Sequence, residues 1–138
     1  EKNIRVINAV EGAITAVAEL VIGLMLSMAR EITRADREIR NGNWIKKELM
    51  GSELKGKYLG IIGLGNIGKR LGRLARALNM NIIGYDVIPI DDEFSKEVGL
   101  MKADLDTLLS SADYVSFHVP LLDSTRHMIN AEKLKMMK

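Results

Sequence analysis

Hydrophobic positions crowd the first part of the chain and then thin out. From Ile14 to Asn41 the pattern predicts one long helix. Apolar residues are dense through "LVIGLMLSMA" (Leu20–Ala29), then recur at Ile32, Ala35 and Ile39 between charges, the spacing of a single buried stripe. "RNGNW" ends it, with Gly42 suited to a left-handed conformation past the last turn. At 1.5 Å per residue such a helix runs roughly 40 Å, more than a small domain needs for itself. It is expected to join two lobes or pack on a partner subunit, a long core helix being the plainer alternative.

After a polar connector (Lys46–Lys55) the period changes to strand–helix alternation. "KYLGIIG" is a short apolar run of the kind buried on both faces of a parallel sheet. From Ile67 to Leu78 the apolar positions Ile67, Leu71, Leu74 and Leu78 share one helical face, with Lys69, Arg70, Arg73 and Arg76 elsewhere. "NIIGYD" predicts a second strand, "DDEFSKEVG" a short helix stopped by Gly99, and "LMK" a third strand. Asp104 caps the helix "LDTLLSSA", and "YVSFHV" is a fourth strand ending at Pro120. "AEKLKMMK" reads as an unfinished helix. Strands separated by helices imply right-handed βαβ units. The expected fold is therefore α/β, a partial doubly wound parallel sheet of Rossmann type preceded by a long inter-lobe helix. Residues 1–52 form the linking segment and 53–138 the first part of the sheet domain.

The candidate chemistry sits where the first strand meets its helix. Gly63, Gly65 and Gly68 fit GxGxxG. Gly63 permits the tight turn, Gly65 lets a diphosphate approach the backbone, and Gly68 lets the helix sit close on the sheet. The helix start points unpaired N–H groups, those of Asn66 and Ile67 among them, at the anion. Alone the motif is weak. Here a strand precedes it, a helix follows, and Asp86 ends the second strand about 20 residues on, where a carboxylate reaches ribose hydroxyls. The same carboxylate repels a 2′-phosphate, so NAD is expected over NADP. In the usual strand order the fourth strand neighbours the first, which sets His118, Val119 and Pro120 across the crevice from the glycine turn. Val119 and Pro120 then offer an apolar wall for adenine, or Pro120 simply ends a strand.

Composition narrows the class. The chain has 138 residues, 47% of them hydrophobic, which predicts a packed core rather than disorder. A net charge of +2 with no long block of like charge argues against nucleic acid as a partner. Leu20–Ala29 falls short of the ~20 residues a membrane span needs. The absence of cysteine rules out disulfides and Cys-based zinc sites and is compatible with a reducing, cytoplasmic setting. No metal site is expected: Asp91, Asp92 and Glu93 suit the first turn of a helix better than a metal. Lys69, Arg70, Arg73 and Arg76 are expected to be a solvated helix face. Met25, Met28, Met136 and Met137 are expected in packing, and Trp44 against a lobe.

Four stretches, "NAVEGAITAVAEL", "MGSELKGKYLGIIGLGNIGKRLG", "IIGYD" and "SFHVPLLDSTRHMIN", resemble the NAD-dependent D-2-hydroxyacid dehydrogenases, in matching order across almost the whole chain. The string "MGSELKGKYLGIIGLGNIG" is most similar to the D-3-phosphoglycerate dehydrogenases, although relatives acting on glyoxylate, hydroxypyruvate or lactate share these stretches. The resemblance implies hydride transfer between NAD and a small 2-hydroxy or 2-oxo acid. It places the pyrophosphate on the glycine turn with Asn66 and Ile67, the ribose acid at Asp86, the adenine-side pair at Val119 and Pro120, and a polar cofactor contact at Thr125. Many relatives carry arginine where this chain has Asn66, so a phosphate-facing cation is missing there. The resemblance also implies a homodimer joined through the cofactor domains. Relatives have proline, asparagine and serine at Val10, Ala13 and Ala16. Without that serine the capping box with Glu19 is lost, and Thr15 is the substitute cap. The catalytic arginine, glutamate and histidine of the family are expected outside this stretch, and neither His118 nor His127 matches the catalytic histidine. The same resemblance extends to NAD-sensing corepressors, a binding rather than catalytic class.

Overall fold

The computed structural model describes residues 4–5 and 10–138. Positions 6–9, where the first of the four resembling stretches begins, lie outside the described residues. A 3-10 turn at Val10–Ala13 leads into α1 (Ile14–Ala29) and α2 (Ile32–Arg40). The sheet and its helices follow as β1 (Tyr58–Ile62), α3 (Asn66–Ala77), β2 (Asn81–Tyr85), α4 (Asp92–Val98) and β3 (Leu100–Lys102). After these come α5 (Leu105–Ser111), β4 (Tyr114–Phe117) and α6 (Ala131–Met136).

The long helix is broken, against expectation. Glu31 turns left-handed (φ 52°), and the N–H of Ser52 donates to the carbonyl of Ala29 at 2.6 Å. That carbonyl is the one Thr33 would use to continue the helix, so a segment remote in sequence ends α1 by taking its acceptor. Gly51 makes the approach possible, since a Cβ there would lie 2.9 Å from the same oxygen. The single long helix expected is thus two helices. Thr15 does not cap α1 either: Ala13 holds the cap position with no side-chain bond, and the chain enters through the 3-10 turn instead. At the far end of α2 the expected stop is present. Gly42 (φ 81°) donates to Ile39 and Asn43 to Glu38, which satisfies two terminal carbonyls.

The strands are all parallel, in the order β3–β2–β1–β4. Their apolar runs are continuous because both faces are covered. Leu59, Ile61 and Ile82 face one layer, packed with Leu71 and Ala75 of α3, Phe94 of α4, and Ala18 and Met25 of α1. Ile62 and Ile83 face the other, under Leu108 and Leu109 of α5. Each fully buried Leu or Ile contributes about 1.5–3 kcal/mol. Gly60, inside β1, lets α5 settle: a Cβ there would come 2.5 Å from Leu108. β4 stops at Phe117, short of the expected Pro120, although the His118 N–H still donates to Ile62 at 2.7 Å.

α1 is amphipathic in burial rather than in composition. Ala18, Met25 and Ala29 are buried, while Leu20, Leu24 and Met28 stay exposed. Met28 therefore does not pack as expected, and Trp44 stands 78% exposed instead of anchoring the connector.

Candidate functional site

β1 ends beneath a bend whose three glycines differ in surroundings. Gly63 has φ 92°, a conformation that L side chains rarely adopt, and a Cβ there would meet the His118 carbonyl at 2.7 Å and Val119 at 2.9 Å. At Gly68 a Cβ would lie 2.1 Å from the Gly63 oxygen, so the first turn of α3 rests on the bend itself. At Gly65 nothing lies within 4 Å. Gly65 is also the N-cap of α3 and has no side chain to accept from the first turn. The first helical bond is Lys69 to the Gly65 carbonyl, leaving the N–H groups of Asn66, Ile67 and Gly68 without intrahelical acceptors.

Asp86 is pinned beside this turn. One carboxylate oxygen accepts from the Leu64 N–H at 2.6 Å, the other from the Ile88 N–H at 3.0 Å. The first bond ties the end of β2 to the glycine turn. Each oxygen retains a lone pair for a further donor such as a hydroxyl. A hollow of about 280 Å³ is shared by Leu64, Gly65, Asn66, Lys69, Asp86 and Ile88. The structure thus brings the open glycine and the strand-end acid to one place.

Val119, Pro120 and Thr125 line a different hollow of about 420 Å³, with Phe117, Leu121 and Met128. Val119 adjoins the turn at Gly63. The Thr125 hydroxyl donates to the Pro120 carbonyl at 2.6 Å and accepts from Leu122 at 2.8 Å, so it braces its own loop. His118 shares a hydrogen bond of 2.9 Å between Nε2 and Ser116 Oγ, and burial lowers its pKa below the ordinary histidine value. His127 lies in a loop with φ 55°.

Of the basic residues of α3, Arg73 and Arg76 are exposed as expected, whereas Lys69 and Arg70 are half-buried. Lys69 pairs with Asp91 at 3.1 Å, and Arg73 forms two bonds with Glu97 at 2.7 and 2.8 Å, both cations lying over the Phe94 ring. Asp91 and Glu97 are held below the usual carboxylate range by hydrogen bonds from Lys69 and Arg73 respectively. Asp91 also caps α4 through the Glu93 N–H. Two contacts carry no signal of their own in the sequence: the Leu64–Asp86 bond, made by a main-chain N–H, and the ties from α3 to α4.

The donor and acceptor sets fit a dinucleotide. Main-chain N–H groups without intrahelical acceptors at a helix start suit a diphosphate, and an anchored carboxylate with spare lone pairs suits a sugar diol. Residues 22–138 match the family described as "D-isomer specific 2-hydroxyacid dehydrogenase, NAD binding domain". The chain belongs to this family. It is 46% identical over its whole length to the hydroxypyruvate reductase of Thermotoga maritima, covering 44% of that protein. It is 44% identical to the D-3-phosphoglycerate dehydrogenase of Methanocaldococcus jannaschii, again along 100% of the chain and 26% of the relative. The chain thus spans less than half the length of these relatives. Among solved structures, the D-lactate dehydrogenase of Escherichia coli superposes with a TM-score of 0.83 at 35% identity, covering 90% of this chain and 39% of that one. The Aquifex aeolicus D-lactate dehydrogenase, solved with NAD and lactic acid, gives 0.83 at 34%, covering 89% and 37%. The domain is of the family's NAD-binding type, with the partial parallel sheet expected from the strand pattern.

Proposed function

We propose that the intact protein transfers a hydride between NAD and a D-2-hydroxy acid, with D-3-phosphoglycerate, at the entry to serine biosynthesis, as substrate. NAD supplies the hydride chemistry, and the work of this chain is to hold and orient it. The observation that carries the reading is the open main chain at Gly65 beside a carboxylate bonded to Leu64. The turn at Gly63, Gly65, Asn66, Ile67 and Gly68 takes the diphosphate, Asp86 the adenosine ribose, and Val119 and Pro120 one wall of the adenine site. Thr125 holds the loop that presents Pro120 and adds a polar contact.

Residues 1–52 serve as the linking segment at the boundary with a substrate lobe and a second subunit, and 53–138 as the first part of the cofactor domain. The exposed row Leu20, Leu24 and Met28 on α1 supports a homodimer. No helix among the described residues is long and apolar enough to cross a membrane, and the reading places the enzyme in the cytoplasm without a nucleic-acid partner. The acid–base groups and the arginine that grips the substrate carboxylate are assigned outside this stretch, so the stretch alone carries no catalytic residue.

The choice of substrate rests on the phosphoglycerate dehydrogenase relative and the string around the glycine turn. A second reading, hydroxypyruvate or glyoxylate reduction, is favoured by the 46% identical reductase. Initial rates with 3-phosphoglycerate and NAD, against hydroxypyruvate or glyoxylate and NADH, decide between them. NAD binding without turnover of any of these acids would favour the corepressor-like class.

A further inference from the structure

We propose that Arg70, one helical turn beyond Asn66, is the side-chain cation that holds the diphosphate, a role that rests on the reading of Gly63–Gly68 as the diphosphate turn. A hollow of about 370 Å³ lies where the start of α1 meets α3, lined by Ile14, Thr15, Asn66, Lys69, Arg70 and Arg73. Three cations border it, and two of them already have carboxylates: Lys69 has Asp91 and Arg73 has Glu97. Among the described residues no carboxylate pairs with Arg70. Its Nε is buried and has no hydrogen-bond partner among the described residues.

A buried guanidinium N–H without an acceptor is uncommon and calls for a ligand or an explanation. The position supplies one. Asn66 and Arg70 are four residues apart and so share a face of α3. Long helical side chains lean toward the N-terminus, the end of α3 at which the N–H groups of Asn66, Ile67 and Gly68 lack intrahelical acceptors. Those N–H groups present only a partial positive charge, whereas a diphosphate carries about two negative charges. The first turn contributes no charged side chain of its own, since it reads Asn66, Ile67, Gly68 before Lys69, and Lys69 is engaged. A planar guanidinium matches two phosphate oxygens at once, which an ammonium cannot do.

The test is calorimetric titration of the intact apo protein with NAD, ADP and adenosine, for wild type, Arg70→Gln and Arg70→Lys. Loss of one charge-assisted contact should weaken NAD and ADP about 10-fold in Arg70→Gln. Arg70→Lys should lose less, and adenosine, which has no phosphate, should bind all three proteins equally. The melting temperature without ligand should stay within a few degrees of wild type. Affinities for NAD and ADP within twofold of wild type in Arg70→Gln would overturn the role of Arg70. So would an equal fractional loss for adenosine, which marks a general loosening of the α1–α3 contact. If Arg70→Gln does not fold, Arg70→Lys decides, and wild-type ADP affinity there refutes the role. A wild-type protein that binds neither NAD nor ADP fails at the diphosphate turn itself, a result separable from the others.

Discussion

Substituting the glycines of the turn one at a time separates fold from function. Gly65→Ala should leave the protein folded. The added Cβ meets nothing within 4 Å, and the backbone at φ −69°, ψ −161° is open to any residue. Alanine is a poorer N-cap than glycine by some tenths of a kcal/mol, and the stiffer unfolded chain returns about 0.4–1 kcal/mol, so the net change in stability is near zero. Binding is another matter. A methyl group at that point separates a diphosphate from the main chain and breaks two charge-assisted hydrogen bonds, together ~3 kcal/mol, or about 100-fold in affinity. Gly68→Ala should do the reverse. Its Cβ would lie 2.1 Å from a main-chain oxygen, which no side-chain rotation relieves. A loss of at least ~3 kcal/mol is expected, lowering the melting temperature by about 10 °C. Thermal unfolding and NAD calorimetry on the same samples read both effects. The reasoning fails if Gly65→Ala binds NAD as tightly as wild type, or melts as low as Gly68→Ala.

Asp86→Asn leaves one accepting oxygen for two main-chain donors, so stability should fall by about 1 kcal/mol. NAD affinity should fall too, while NADP, no longer facing a carboxylate, loses less. A wild type that prefers NADP in direct titration would refute the role of this acid. Asn79 holds φ 58° just past α3, so Asn79→Gly should stabilise the fold by about 0.5 kcal/mol, seen as a rise of roughly 1–2 °C in melting temperature. His118 is held below the unfolded histidine value of about 6.5 by burial, so the unfolded chain takes up a proton first as the pH falls. Its contribution to stability is therefore complete above about pH 6.5 and is lost on acidification below it. His118→Asn should flatten denaturant midpoints measured between about pH 7 and 5, and an unchanged slope would contradict the burial argument.

Elements whose cause is local were legible in the sequence. β1, α3 and β2 lie close to where periodicity and the glycine spacing put them. The stops at Gly42 and Gly99 and the cap of Asp104 follow from residue types that suit those backbone positions, whereas Asp91, expected in the first turn, is the cap of α4. The break between α1 and α2 was not legible, because no glycine or proline marks it. Its cause is the Ser52 N–H, far along the chain, acting on the Ala29 carbonyl. The same holds for α3. The spacing gives its apolar face, but only the fold brings Glu97 to Arg73 and Phe94 under both cations. Trp44 was misread because size and hydrophobicity say what a side chain prefers, not whether the chain returns to cover it.

At the candidate site the division is finer. The GxGxxG spacing gives each glycine a reason of its own but not the atoms behind it: the His118 carbonyl beside a positive φ at Gly63, open surroundings at Gly65, and the Gly63 oxygen under the helix at Gly68. Asp86 carries a similar ambiguity. Its spacing marks it as a ribose acid, yet its shortest bond is to Leu64, inside the turn it is meant to complement. The acid therefore shapes the glycine turn as well as offering the spare lone pairs that the proposed ribose contact needs. This has a consequence for cofactor preference. Replacing Asp86 by arginine or lysine to admit a 2′-phosphate would remove the repulsion but leave the Leu64 N–H without an acceptor. A serine or asparagine at this position keeps one oxygen for Leu64 while lowering the charge. A change of specificity at this strand end thus has to preserve an acceptor before it supplies a cation, because the geometry of the turn depends on it.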